Sequence, residues 1–199
     1  MNNILILYPK EFNSKNKFER KISRITKNIN DYTISYIEDY NDFITSYFNQ
    51  LTNEIIMKKI EINNFEDITH VIIFDDGEEF NKETAYFKSK NIPLRFIKIL
   101  ITRVINIKID TKYDKDSEEY EYIGRGSYWG NPHSMFENGD TREEVIRKFE
   151  YDFDQDMFIN KKKDEVYKLS GKRLGCFCKP SSCHGDVLAG FLNSYDDGK

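Results

Sequence analysis

Three cysteines, a histidine and an aspartate fall within Gly175-Cys176-Phe177-Cys178-Lys179-Pro180-Ser181-Ser182-Cys183-His184-Gly185-Asp186. On a strand, Cys176 and Cys178 point to the same face. A turn through Pro180-Ser181-Ser182 then brings Cys183 and His184 back against it. Three thiols and an imidazole make a complete tetrahedral zinc set, with Cys176, Cys178, Cys183 and His184 as ligands. The spacing argues against that use, because C-x-C is not the common C-x-x-C knuckle and adjacent Cys183 and His184 crowd one tetrahedron. Zinc is therefore not the favoured cofactor. The simplest reading is a buried strand whose small cysteines pack as hydrophobes. A third reading is a reactive thiol. Cys183 falls at the first turn of the last helix, where free N–H groups and the macrodipole favour a thiolate. Cys183, His184 and Asp186 are then the candidate catalytic group, with His133 an equally good base for Cys183.

A second constellation is the loop Gly124-Arg125-Gly126-Ser127-Tyr128-Trp129-Gly130-Asn131-Pro132-His133. Glycines on either side of Arg125 allow close backbone approach to a ligand, and a guanidinium forks onto phosphate or carboxylate. Trp129 either stacks on a base or covers a small core. Asn131 is held extended by Pro132, which aims its amide. Arg125, Ser127, Trp129, Asn131 and His133 form the expected ligand-binding set, and this loop and the Cys183–Asp186 helix start are expected to face one pocket. A third candidate, Asp75-Asp76-Gly77, reads more simply as carboxylates capping the next helix.

These residues need a scaffold, and the hydrophobic pattern supplies one. Ile4–Tyr8 is a short apolar run. Phe18, Ile22, Ile25 and Ile29 then recur at helical spacing behind Ser14, and Tyr32–Ile37 alternates as a strand. Tyr40, Ile44, Tyr47, Leu51 and Ile55 predict one long helix. Val71–Phe74 is a continuous apolar strand, Asn81–Lys90 a helix and Leu94–Ile99 a strand. That alternation predicts a parallel sheet with right-handed crossovers. Beyond residue 101 the pattern changes. Val104–Ile109 and Tyr120–Ile123 read as strands, and Thr141 with Glu144 as a capping box ahead of Val145, Phe149 and Phe153. A short helix at Asp164–Leu169, a strand at Lys172–Cys178 and a helix at Cys183–Asn193 follow. The expected class is α/β, with a Rossmann-like half at 1–101 and a smaller α+β half at 102–199 that holds the site.

Composition narrows the function. The 199 residues carry a net charge of −4, with 39% hydrophobic and 15% aromatic residues. A buried core is therefore expected, and a nonspecific duplex-DNA coat is not. No apolar run reaches the roughly 20 residues of a membrane span. The apolar start at Ile4 is too short for a signal peptide. Three clustered cysteines suit a reducing compartment, so a cytoplasmic setting is expected. Lysine outnumbers arginine 22 to 8, a bias of AT-rich coding in low-GC bacteria and their phages.

Residues 102–194 resemble a bacterial and phage family known only as domain of unknown function 4326. The resemblance rests on Tyr122–Ser127 with Gly130–Pro132, on Thr141–Glu144 and on Gly171–Leu188. His133 stands where that pattern has an aromatic residue. The first half is similar to the SLOG superfamily of Rossmann-like nucleotide-binding domains, on His70–Gly77, Asn81–Ala85 and Asn91–Leu94. The superfamily's first strand ends in a glycine-containing phosphate turn, and a later helix begins with a glycine-bearing motif. Here Tyr8-Pro9-Lys10 and Glu83 occupy those places, which implies a degenerate nucleotide site in this half. The resemblance of the second half names no reaction. Its residues, with Arg125 for an anion, Trp129 for a base and Asn131 for an edge or hydroxyl, lead to the expectation that it recognises a nucleotide or nucleoside derivative, with cleavage of a glycosidic or phosphoester bond as the finer expectation. The rival expectations are a non-catalytic binder that sequesters a nucleotide or contacts a host protein, and a zinc-stabilised interaction module.

Overall fold

A computed structural model describes residues 1–51, 55–158 and 161–198. The protein divides into two compact units, Met1–Ile99 with Asp196–Lys199, and Leu100–Tyr195.

In the first unit, β1 (Asn2–Leu7), β2 (Tyr32–Tyr36), β3 (Met57–Lys59), β4 (His70–Asp75) and β5 (Leu94–Lys98) form a parallel sheet. Their order is β3-β2-β1-β4-β5. Central β1 and β4 carry the most continuous apolar runs because both of their faces are covered. Leu5, Leu7, Val71 and Ile73 pack with Phe65, Ile68 and Phe87. On β4, Phe74 stacks on Phe18 at 5.2 Å. The helices are α1 (Lys15–Thr26), α2 (Phe43–Asn49) and α3 (Asn81–Ser89). Helix α1 holds the end of the chain, through Lys17 to Asp197 at 2.9 Å and Arg20 to Asp196 at 2.6 Å.

Two readings of this half are corrected. The long helix through Ile55 stops at Asn49. Asp39 caps its start, accepting from Ile44 N at 3.0 Å and Thr45 N at 2.9 Å, so Tyr40 lies outside it and is exposed. Helix α1 likewise ends at Thr26, before Ile29. Strand β3 went unforeseen, since three residues of an edge strand carry no alternation.

The second unit has a three-stranded sheet of β6 (Arg103–Asn106), β8 (Arg173–Cys176) and β7 (Tyr120–Tyr122), in that order and parallel throughout. The helices are α4 (Met135–Asn138), α5 (Arg142–Asp154) and α6 (His184–Ser194), with a 3-10 helix at Lys163–Leu169. The Thr141 capping box forms in full: Thr141 Oγ1 accepts from Glu144 N at 3.2 Å, and Thr141 N donates to Glu144 Oε2 at 2.7 Å. Phe149 and Phe153 of α5 and Leu188 and Leu192 of α6 bury against Leu174 and Ile123. Asn193 ties α6 to the start of β6. It accepts from Thr102 N at 2.8 Å and donates to Thr102 O at 3.0 Å.

Candidate functional site

An open parallel sheet presents its ligand crevice at the carboxyl ends of the strands where the order reverses. In the first unit that place lies between β1 and β4, and aromatic side chains fill it. Tyr8, 1% exposed, stacks on Phe43 at 5.6 Å, and Phe12 lies 4.9 Å from Phe74. Tyr8 donates to Asp39 Oδ1 at 2.5 Å and accepts from Asn41 N at 3.1 Å. Burial, reinforced by the Asp39 bond, pushes its phenol well above the ordinary range. After β4, Asp75 and Asp76 accept backbone N–H groups of Gly77, Glu78 and Glu79, the capping role expected of them. Rings and carboxylates at this switch point are poor company for a phosphate.

The second unit is more open. Its loop at 124–133 turns twice, through Ser127 N to Gly124 O and Gly130 N to Ser127 O, both 3.1 Å. Gly126 sits at φ +84, where a side chain is strained, and a Cβ on Gly130 would lie 2.6 Å from the Gly124 carbonyl oxygen. Those glycines are what the tight turns require. The loop's outer side bounds a cavity of about 290 Å³ whose lining includes Arg125, Ser127, Asn131, Pro132, Ser134 and Lys161. Lys161 donates to Gly130 O at 3.1 Å, and burial lowers the pKa of its ammonium. Arg125 lies over the ring of Phe136 at 5.9 Å, and Phe136 is 82% exposed. The Ser127 hydroxyl is shielded and has no hydrogen-bond partner among the described residues. Such an orphan is the kind that an unseen water or ion accounts for.

Not every expected ligand residue faces this cavity. Trp129 is 4% exposed and belongs to the unit's core. Its ring is therefore not presented to a base, and its other expected role, covering a small core, is the one the structure gives it. The Asn131 amide is spent within the fold, donating to Val145 O at 3.0 Å and accepting from His133 N at 2.9 Å. His133 pairs with Asp152 of α5 at 2.8 Å. Lys161 and Ser134 were missed. Lys161 starts a run of three lysines, and nothing in that run marks which one folds back onto the loop.

The candidate catalytic group is also redirected. Cys183 is the N-cap of α6, as expected, but is 1% exposed. Asp186 accepts from Cys183 N at 2.9 Å and pairs with Lys179 at 2.6 Å. The His184 ring is 7% exposed and packs on Phe149 at 5.0 Å. Its Nε2 bonds the Ile123 carbonyl at 2.9 Å, which fixes the proton on that nitrogen, and Nδ1 lies 3.6 Å from Cys183 Sγ. Burial lowers the pKa of this imidazole. His184 thus pins the start of the glycine loop to the foot of α6. Cys183, His184 and Asp186 are not among the residues that line this cavity, although His184 bonds the residue that precedes the loop.

What does converge is sulfur. The thiols of Cys176, Cys178 and Cys183 all lie within 4.8 Å of one another, and Cys176 and Cys178 are 3.4 Å apart. The Cys183 thiol donates to Cys176, which brings Cys176 down to about 5. That same donation, together with burial, pushes Cys183 up. These opposite directions favour thiolate character at Cys176, on β8, over Cys183.

Residues 1–105 match the family model of the Minimal SLOG domain, and residues 105–194 match that of the Domain of unknown function (DUF4326). Among curated proteins, the "Uncharacterized 12.4 kDa protein in nrdA-td intergenic region" of Enterobacteria phage T4 is 37% identical over 98 residues. That alignment spans 47% of this chain and 79% of the phage protein. No solved structure matches the chain.

Proposed function

This chain belongs to the Minimal SLOG domain family and carries the domain of unknown function DUF4326 in its second half, and on that premise we propose that the second unit binds a nucleotide or nucleoside derivative in the cavity bounded by the glycine loop. The observation that carries the reading is the pairing of Arg125 with Lys161 in that cavity's lining, beside the Ser127 hydroxyl. Arg125 forms no ion pair with a described side chain, so its fork is available to a phosphate. Lys161 is held against the loop by Gly130 and adds a second charge. At about 290 Å³ the cavity stands at the lower edge of the roughly 300–1,000 Å³ usual for ligand pockets, which suits one nucleoside monophosphate better than a dinucleotide. Phe136, exposed and next to Arg125, offers the aromatic face that Trp129 withholds.

The reading is one of binding. Bond cleavage is no part of it, because Cys183, His184 and Asp186 are committed to the foot of α6 and lie outside the cavity lining. No described helix is long and apolar enough to cross a membrane, and the ligand proposed is a small molecule.

Calorimetric titration of the full chain tests this, using nucleosides beside their mono- and diphosphates. Monophosphates should bind and the parent nucleosides far less. Arg125→Ala should cost about 1.5–3 kcal/mol, the worth of a hydrogen bond to a charged group, which is roughly 10- to 150-fold in affinity. Equal binding of nucleoside and nucleotide, or an Arg125→Ala variant that binds as the parent does, would refute the reading.

A further inference from the structure

We infer that Cys176, Cys178 and Cys183 form a three-thiolate zinc site whose fourth coordination position is open to solvent. The inference is independent of the nucleotide pocket, since none of the three cysteines lines it.

The geometry argues first. Tetrahedral zinc with Zn–S bonds of about 2.3 Å sets its sulfurs roughly 3.8 Å apart. Cys176 and Cys178 stand at 3.4 Å, and the three sulfurs span no more than 4.8 Å. Shifts of well under one ångström at each side chain bring the set to that edge length. The C-x-C spacing that looked unfavourable in the sequence is what places two sulfurs on one face of the end of β8. The cap of α6 supplies the third.

The surroundings then behave as a support. Asn106 donates through its amide to Phe177 O at 3.3 Å and Lys179 O at 2.5 Å, while Ile107 N donates to Cys176 O at 3.0 Å. Ser181 N closes the turn on Cys178 O at 3.0 Å. The backbone that presents the thiols is thus fixed at both ends of the C-x-C segment. Gly185 N donates to Cys183 Sγ at 3.4 Å, an outer bond that favours a thiolate ligand. Three thiolates on Zn²⁺ leave one net negative charge, and Arg142 stands against it. Its guanidinium bonds Ser182 O at 3.3 Å and reaches the Cys178 sulfur. Thiols that packed as hydrophobes would need neither the clamp nor the cation.

The fourth position is open. Among the described residues no histidine, aspartate, glutamate or further cysteine completes the group. His184 Nδ1 lies 3.6 Å from Cys183 Sγ but does not join the group in which the three sulfurs lie within 4.8 Å of one another, so the ligand set drawn from the sequence loses its histidine. Cys178 is half-buried and supplies the path to solvent. On binding, Zn²⁺ displaces the thiol protons, which pass to solvent, and three Zn–S bonds form with no change of oxidation state.

Elemental analysis of the full reduced chain, purified without chelator, should find one zinc per chain. Cobalt(II) in its place should give a sulfur-to-metal charge-transfer band of three-thiolate intensity, with the visible bands of tetrahedral cobalt. Cys178→Ser alters the least buried ligand, so the fold should survive, stoichiometric zinc should be lost and the cobalt band should fall by about a third. A folded, reduced parent chain that takes up neither metal stoichiometrically overturns the inference. So does cobalt bound without the charge-transfer band, or a folded Cys178→Ser variant that keeps a full equivalent of zinc.

Discussion

His184→Ala separates a catalytic histidine from one that holds the fold together. In the structure the ring is buried, packs edge-on to Phe149 at 5.0 Å and donates through Nε2 to the Ile123 carbonyl at 2.9 Å. Removing it leaves that carbonyl without its donor in a place water does not reach, at a cost of about 1–3 kcal/mol. Loss of the ring contact adds about 0.5–1.5 kcal/mol. Together these give about 1.5–4.5 kcal/mol for the second unit. At roughly 4–8 °C per kcal/mol for a domain of this size, the melting transition should fall on the order of 10–30 °C. Circular dichroism of the full chain, with Phe149 and Ile123 untouched, reads the shift directly. The Ile123 carbonyl opens the glycine loop, so nucleotide affinity should weaken even at temperatures where the variant is folded. A variant that melts within a degree or two of the parent while losing all function would refute the structural assignment and restore His184 as a chemical group.

Two further substitutions probe the buried aromatics. Trp129 is the protein's one tryptophan, so its emission should be blue-shifted, shielded from acrylamide and unchanged by nucleotide. Trp129→Phe should bind as the parent does, while Trp129→Ala should lose about 3–5 kcal/mol of stability. Ligand quenching of that emission would contradict its place in the core. Tyr8→Phe deletes the hydroxyl between Asp39 and Asn41 and should lower stability by about 1–3 kcal/mol. Its urea midpoint should drop with the slope unchanged, and nucleotide binding should be unaffected. A change in nucleotide affinity would reopen the switch point of the first sheet as a site.

Strands β1 and β4 are legible in the sequence because they are buried on both faces and so spell continuous apolar runs, whereas the edge strand β3 is not. The Thr141 box was equally plain, since its two hydrogen bonds depend on residue type and a fixed spacing of three. Helix α2 is shorter than its apolar period predicts. Tyr40, Leu51 and Ile55 keep the helical period, but Asp39 caps the chain at Phe43, and Tyr40 and Leu51 are left exposed. The parallel pairing of β7 with β8 left no local mark, because three-residue strands carry too few positions to show a period. For the site, residue types were readable and directions were not. Arg125 and Ser127 line a cavity, while Trp129, from the same ten residues, turns into the core, and Asn131 lines the cavity with its amide bonded within the fold. Lys161 joined them from a lysine run 36 residues beyond Arg125, a contact made only by tertiary packing. In the sequence both the C-x-C spacing and the adjacency of Cys183 and His184 argue against a metal, yet the crowding applies to His184 alone and the three sulfurs lie within 4.8 Å of one another.

Where a bound nucleotide lies tests the central claim most directly. A crystal structure of the full chain with a nucleoside monophosphate should place the phosphate between Arg125 and Lys161, with the base against Phe136. Phosphate instead at the carboxyl ends of β1 and β4, beside Tyr8 and Asp75, would contradict the account.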